Sequence, residues 1–216
     1  MKNKSNFSAL ILTAAALIFT VLIKLVDVQA IGPEGAPVGF ASLNGPVSEA
    51  LGIKLLWYDL SEALGYLAIL VCLFFAALGA YQLIRGKSLR KVDSHILALG
   101  GLYAVTVILY VLFDKIALNV RPVLENGVPE ASYPSSHTML SLVAFGSAAW
   151  LINRYFVEDR PRRILTVTAL VLMVLTVAAR LLSGFHWLTD IIGGLLISAA
   201  LLAWFAAICD RIDGKQ

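Results

Sequence analysis

Six apolar stretches, each long enough or nearly long enough to cross a bilayer, dominate this 216-residue chain. They are Ser8–Val26, Ala63–Ile84, Ile96–Phe113, Thr138–Ile152, Ile164–Ala179 and Ile191–Cys209. A spanning helix needs about 20 mostly apolar residues. Inside a bilayer the backbone must satisfy its own hydrogen bonds, so runs of this kind fold as helices. The fourth and fifth are short, and each gains a turn if its flanking residues point into protein instead of lipid. Only 14% of residues are charged, against 59% hydrophobic, which is too few charges to cover a water-soluble surface. The expectation is an all-α, polytopic membrane protein with six transmembrane helices in one bundle, a single domain over residues 1–216. Cys72 and Cys209 fall in separate apolar runs, so they offer neither a disulfide framework nor a zinc spacing.

The first run has one other reading. Lys2 and Lys4 make a basic start, and Val28-Gln29-Ala30 resembles a signal-peptidase site. The run is long for a signal sequence and five more spans follow, so an uncleaved first helix is preferred. Lysine and arginine then set the orientation. With the N-terminus inside, twelve of the seventeen basic residues fall on one face: Lys2, Lys4, Arg85, Lys87, Arg90, Lys91, Arg154, Arg160, Arg162, Arg163, Arg211 and Lys215. That asymmetry predicts a multi-pass plasma-membrane protein with both termini in the cytoplasm. Lys115, Arg121 and Arg180 lie on the disfavoured outer face, which asks for another reason to keep them there. In the first outer loop, Asp27–Glu62, the stretch from Ser48 through Leu56 predicts a short interfacial helix with Trp57 and Tyr58 at headgroup level.

The other two outer loops gather ionisable side chains. One carries Lys115, Arg121-Pro122 and Tyr133-Pro134-Ser135-Ser136-His137; the other carries Arg180, His186 and Asp190. Singly, each has a structural explanation. Lys115 can snorkel, Arg121 can pair with Glu125, His137 can cap a helix, and His186 with Asp190 can be a buried structural pair. Together they place three cations, two histidines and a carboxylate on one membrane face. Pro122 biases Arg121 out of the helical region and ends the helix there. His186 and Asp190, four apart, share a helix face if the last helix begins near Phe185. A carboxylate on one imidazole nitrogen fixes the tautomer and frees the other as a nucleophile. Backbone N–H groups at the helix start after Pro134 can hold an anion. Cations, hydroxyls and a helix start describe a phosphoryl site. Two histidines in different loops suggest a nucleophile and a separate acid. No carboxylate-rich or histidine-rich cluster offers a metal cage, so neither a metal nor another cofactor is expected.

At these residues the sequence resembles the type-2 phosphatidic acid phosphatase superfamily. Its signature joins a Lys-x6-Arg-Pro piece, a Pro-Ser-x-His piece and a Ser-Arg-x5-His-x3-Asp piece. The matching positions here are Lys115 to Pro122, Pro134 to His137, and Arg180 to Asp190. Ser136 stands where that family most often has glycine, and Ala179 where it has serine before the arginine. The resemblance implies that His186 attacks phosphorus, that Asp190 orients it, and that His137 protonates the leaving oxygen and later activates water. It assigns Lys115, Arg121, Ser135, Ser136 and Arg180 to the phosphoryl oxygens. The implied function is a metal-independent lipid phosphatase at the extracytoplasmic face. Its implied substrates are undecaprenyl diphosphate, phosphatidylglycerol phosphate or phosphatidic acid.

Two alternatives remain. A lipid phosphotransferase would use the same phosphohistidine with another acceptor. A non-catalytic binder or transporter of anionic lipid would need the cations but neither His137 nor the His186–Asp190 pair. Nucleic acid is excluded as a partner, since no basic stripe lies away from the membrane-flanking positions. No obligatory protein partner is implied.

Overall fold

The computed structural model of the chain describes residues 2–124 and 127–214, and the side chains from residue 5 onward. The side chains of the basic start (Lys2, Lys4), Glu125 as a partner for Arg121, and Lys215 therefore lie outside what is described. Seven α-helices occur among the described residues: α1 (Lys2–Ile23), α2 (Ala41–Leu51), α3 (Leu55–Gly86), α4 (Ser94–Ile116), α5 (Ser136–Tyr155), α6 (Asp159–Leu182) and α7 (Leu188–Asp213). Single 3₁₀ turns at Pro33–Gly35 and Leu89–Lys91 join them.

Five helices, α1, α3, α4, α6 and α7, are long and apolar enough to cross a membrane. Their outward faces carry Leu17, Ile18, Phe74, Ile84, Val107, Ile108 and Val174, all exposed. Such a continuous apolar surface is suited to lipid and would be an aggregation liability in water. The fourth apolar run becomes α5, which differs from the others. Ser141, Leu142, Val143, Ala144 and Phe145 are buried in succession, more than a full turn with no outward face. α5 is the core of the bundle, packed by α3, α6 and α7. Its small residues Ala144, Ala148 and Ala149 let neighbours approach closely. A helix shielded by protein can be short and interrupted by serines, which is why its run looked marginal as a span.

The bundle has two polar ends. At one, the buried His95 sits between Asp93 (Nδ1···Oδ1 3.2 Å) and Asp213 (Nε2···Oδ1 3.0 Å). Arg154 also donates to Asp213, at 2.9 Å, so α4, α5 and α7 are tied together there. The other end holds every residue that the sequence singled out for chemistry.

The first long loop differs from the sequence reading. Its helix spans Ala41–Leu51 and stops at Gly52, which takes a positive φ of 59°. Trp57 and Tyr58 belong instead to the first turn of α3. The break has a packing reason. The turn between α6 and α7 runs against it: Lys54 N–H donates to the Ser183 carbonyl at 3.0 Å. Gly184, at φ 76°, lies so close to the Gly52 carbonyl that no side chain fits. This contact sets the start of α3 beside the end of α6, where Arg180 stands.

Candidate active site

α6 and α7 bring in the second signature loop. Arg180, in the last turn of α6, is completely buried. Its Nη1 donates to Ser61 Oγ at 3.0 Å and to Glu62 Oε1 at 3.0 Å, and its guanidinium lies 5.4 Å from the Tyr58 ring centre. All three partners come from the first turns of α3. Its Nε and Nη2 are buried without a hydrogen-bond partner among the described residues.

His186 and Asp190 are likewise buried. α7 starts at Leu188, two residues after His186, yet His186 Nδ1 still comes within 3.5 Å of Asp190 Oδ2. Ser132 ties the two together, its hydroxyl lying 3.2 Å from His186 Nδ1 and donating to Asp190 Oδ2. Asp190 Oδ2 also accepts the Trp187 N–H at 2.9 Å, so this carboxylate caps the helix that carries it. Asn119 approaches Asp190 Oδ1 at 3.5 Å and accepts the Gly39 N–H at 3.2 Å, which links the first long loop to the site. His186 Nε2 is buried with no partner among the described residues. Burial, and then the positive charge of Arg180, Arg121 and His137, holds the His186 imidazole well below the usual histidine range. That setting favours the neutral ring, the form with a lone pair available.

α5 supplies the third group. Ser135 is its N-cap, accepting from Thr138 Oγ1 at 3.0 Å. His137, in the first turn, points Nε2 at Glu62 Oε1, 3.1 Å away, and leaves a buried Nδ1 without a partner among the described residues. Ser136 lines a polar cavity of about 540 Å³ together with Arg121, Ser132, His186, Glu130 and Asp114. An apolar cleft of about 330 Å³ adjoins it between α3 and α4, sharing Tyr110, Ser136 and Met139 and reaching His137.

The loop before α5 departs from expectation in two respects. α4 ends at Ile116, with Ala117 left-handed at φ 46°, five residues before the helix end that Pro122 predicts. Arg121 is then positioned by the loop itself: its N–H donates to the Glu130 carbonyl at 2.9 Å and its Nη2 lies 3.4 Å from Glu130 Oε2. Lys115 is exposed and is not among the cavity-lining residues, whereas Asp114 is. The reason is helical register. Tyr110, Phe113 and Asp114 share the cavity-facing side of α4, and Lys115 is turned about 100° away from Asp114. The family's lysine stands seven residues before its arginine, the place that Asp114 holds here, while Lys115 stands six before Arg121.

The sequence reading missed Glu62, Ser132 and Asn119. Ser132 lies three residues before Ser135 in the same loop, and Glu62 is a carboxylate at the mouth of an apolar run. Those are weak signals, because their importance comes from contacts 54 and 118 residues away in sequence.

A polytopic helical bundle with two histidines, a buried arginine and a carboxylate at one end belongs to a recognised class. Residues 94–212 match the PAP2 superfamily, more than half of the chain, and the chain belongs to that superfamily. Among solved structures it is similar to one described as the first transmembrane PAP2 type phosphatidylglycerolphosphate phosphatase from Bacillus subtilis. The two share 18% identity with a TM-score of 0.67, over 95% of this chain and 98% of the other. At that identity the likeness speaks for the fold. None of the curated proteins compared matches the sequence.

Proposed function

We propose that this membrane protein is a metal-independent lipid phosphatase working through a phosphohistidine. One observation carries the reading. His186 turns Nδ1 to Ser132 and Asp190 and keeps a buried Nε2 that has no partner among the described residues, with the positive charge of Arg180 and Arg121 favouring the neutral ring. A structural histidine would be satisfied on both sides.

In this reading His186 Nε2 attacks phosphorus, the bond from phosphorus to the lipid oxygen breaks, and that oxygen takes the proton from His137 Nδ1. Water then attacks phosphorus, its proton passes to His137, and the P–N bond breaks to restore His186. Arg180, through Nε and Nη2, and Arg121 neutralise the phosphoryl oxygens, aided by the start of α5 at Ser135 and Ser136. Lys115 would serve at the mouth, attracting the headgroup from the exposed end of α4. The tail would lie in the apolar cleft between α3 and α4. The substrate would be a lipid phosphate or diphosphate, with phosphatidylglycerol phosphate, undecaprenyl diphosphate and phosphatidic acid the classes to try. The distribution of lysine and arginine supports a site on the extracytoplasmic face with both termini in the cytoplasm.

The test is phosphate release by purified protein from a panel of these lipids in detergent, with EDTA present. Turnover of at least one supports the reading. Loss of turnover to EDTA with rescue by Mg²⁺ would overturn metal independence.

A further inference from the structure

Each histidine of the site has its own carboxylate, and the two carboxylates hold opposite ring nitrogens. Asp190 lies at Nδ1 of His186 and leaves Nε2 open; Glu62 lies at Nε2 of His137 and leaves Nδ1 open. The second pair falls outside the family signature. Tyr58, Ser61, Glu62 and Gly65 form one face of α3 at spacings of three, one and three. A carboxylate at the beginning of an apolar span is costly unless it is paired. Here a single oxygen, Glu62 Oε1, serves Arg180 at 3.0 Å and His137 at 3.1 Å.

The choice of nitrogens is informative. A guanidinium offers a fork in which the Nε and Nη2 N–H groups run parallel, the edge that takes an oxyanion with two bonds. Glu62 and Ser61 both occupy Nη1, so that edge is left open and buried. Glu62 thus grips Arg180 and His137 from behind without occupying the atoms that phosphate needs. It also compensates the charge that an imidazolium would place next to a guanidinium.

We infer that Glu62 is a positioning residue of the reaction. It aligns the acid, His137, presenting Nδ1–H of that ring to the leaving oxygen, and the contact with Arg180 Nη1 holds Glu62 itself in place. This rests on the phosphatase reading.

The test uses the full chain in detergent with two substrates, a lipid phosphate with an alkyl leaving group and an activated aryl phosphate, plus acid-quenched trapping of phosphoenzyme. Glu62→Gln should lower kcat for the alkyl substrate by about 10- to 100-fold, less than the roughly 10²–10⁴-fold of removing a positioned acid. The aryl phosphate, which leaves without help, should lose much less. Glu62→Asp should recover part of the alkyl activity, and in a His137→Ala background Glu62→Gln should add almost nothing. Equal losses on both substrates, or losses that simply add to those of His137→Ala, would overturn the proposal. A second measurement needs no Glu62 variant. Nitrogen NMR of ¹⁵N-histidine protein, assigned by loss of a signal in His137→Ala, should show a proton on Nε2 of His137, and an unprotonated Nε2 would also overturn it. Wild-type protein that turns over neither substrate and traps no phosphate would sink the phosphatase reading itself, and the inference with it. Wild-type trapping combined with indifference to Glu62→Gln would sink the inference alone.

Discussion

Gly65 lies flat against the imidazole of His137: a Cβ built at position 65 would stand 2.5 Å from Cδ2 and 3.0 Å from Nε2 of that ring. The ring cannot retreat without giving up Glu62. Gly65→Ala should therefore displace His137 while improving helix propensity by roughly 0.5–1 kcal/mol. The expected outcome is a protein as thermally stable as wild type whose turnover of an alkyl lipid phosphate falls by about 10²-fold, the lower end for a lost acid. Thermal unfolding in detergent and kcat on the same preparation check it; unchanged kcat would show that the ring position is not critical.

Ser132→Ala tests the bridge between His186 and Asp190. The alanine removes a donor from a buried carboxylate, and hydrogen bonds to charged groups are worth roughly 1.5–3 kcal/mol. If that loss is felt in orientation of the nucleophile, the rate of phosphoenzyme formation should drop by about 10- to 100-fold. Rapid-quench measurement of phosphoenzyme formation decides it. The drop should hold for alkyl and aryl leaving groups alike, because this bridge serves the attacking histidine and not the acid. A selective loss on alkyl substrates would move Ser132 to the other half of the mechanism.

The contrast between Ser132 and His186 shows what a linear reading can reach. The long helices were legible because lipid contact demands an uninterrupted apolar run. α5 was less so, because protein contact removes that demand and tolerates Ser141 and Ser147. His137, Arg180, His186 and Asp190 were legible because their local spacings form a recognisable pattern. Glu62, Ser132 and Asn119 were not, because only packing of α3 on α6, and of the loop before α5 on α7, brings them to the site. Lys115 differs from the other signature residues. The resemblance put it with Arg121 on the phosphoryl oxygens, but α4 stops at Ile116 and its register gives the cavity wall to Asp114.

The electrostatic setting of His186 predicts its titration. Burial comes first, then the positive charge of Arg180, Arg121 and His137, and all favour the neutral ring. The folded state thus binds its proton at lower pH than the unfolded chain, where histidine titrates near 6.5. The sign follows from linkage: above that value neither state is protonated and the group is neutral in its effect, while below it stability falls with pH as the unfolded state gains a proton the folded state refuses. With three histidines in the chain, ¹⁵N-histidine spectra are simple. The signal lost in His186→Ala should stay that of a neutral ring in the wild-type protein as the pH is lowered through the range where a free histidine titrates. A midpoint near 6.5 would mean the ring is solvated.

Orientation is tested by labelling. In a background with Cys72 and Cys209 replaced, a cysteine at Gly127 or Val128, in the loop beside the site, should react in intact cells with a membrane-impermeant thiol reagent. One at Lys87, at the opposite end of the bundle, should react only after permeabilisation. The reverse pattern would put the site in the cytoplasm and remove the outer-leaflet substrates from consideration.

The two histidines should fail differently, since each has a different nitrogen open and a different carboxylate behind it. His186→Ala removes the attacking atom, so no phosphoenzyme should be trapped from any substrate. His137→Ala leaves Nε2 of His186 in place and removes only the proton donor, so its cost should follow the leaving group. An alkyl alcohol departs poorly as an alkoxide and should lose about 10²–10⁴-fold, the worth of one positioned acid. An activated phenol, or a lipid phosphate released from a diphosphate, departs as a stabilised anion and should lose far less. Asp190→Asn should fall between the two, with the nucleophile present but poorly held. It should affect all leaving groups about equally, since Asp190 acts on the attacking ring. The measurement is a leaving-group series on the three variants, with acid-quenched trapping of labelled protein. If His186→Ala still traps label and His137→Ala does not, the roles are exchanged. If both retain full turnover, catalysis does not run through these histidines and the phosphohistidine reading fails.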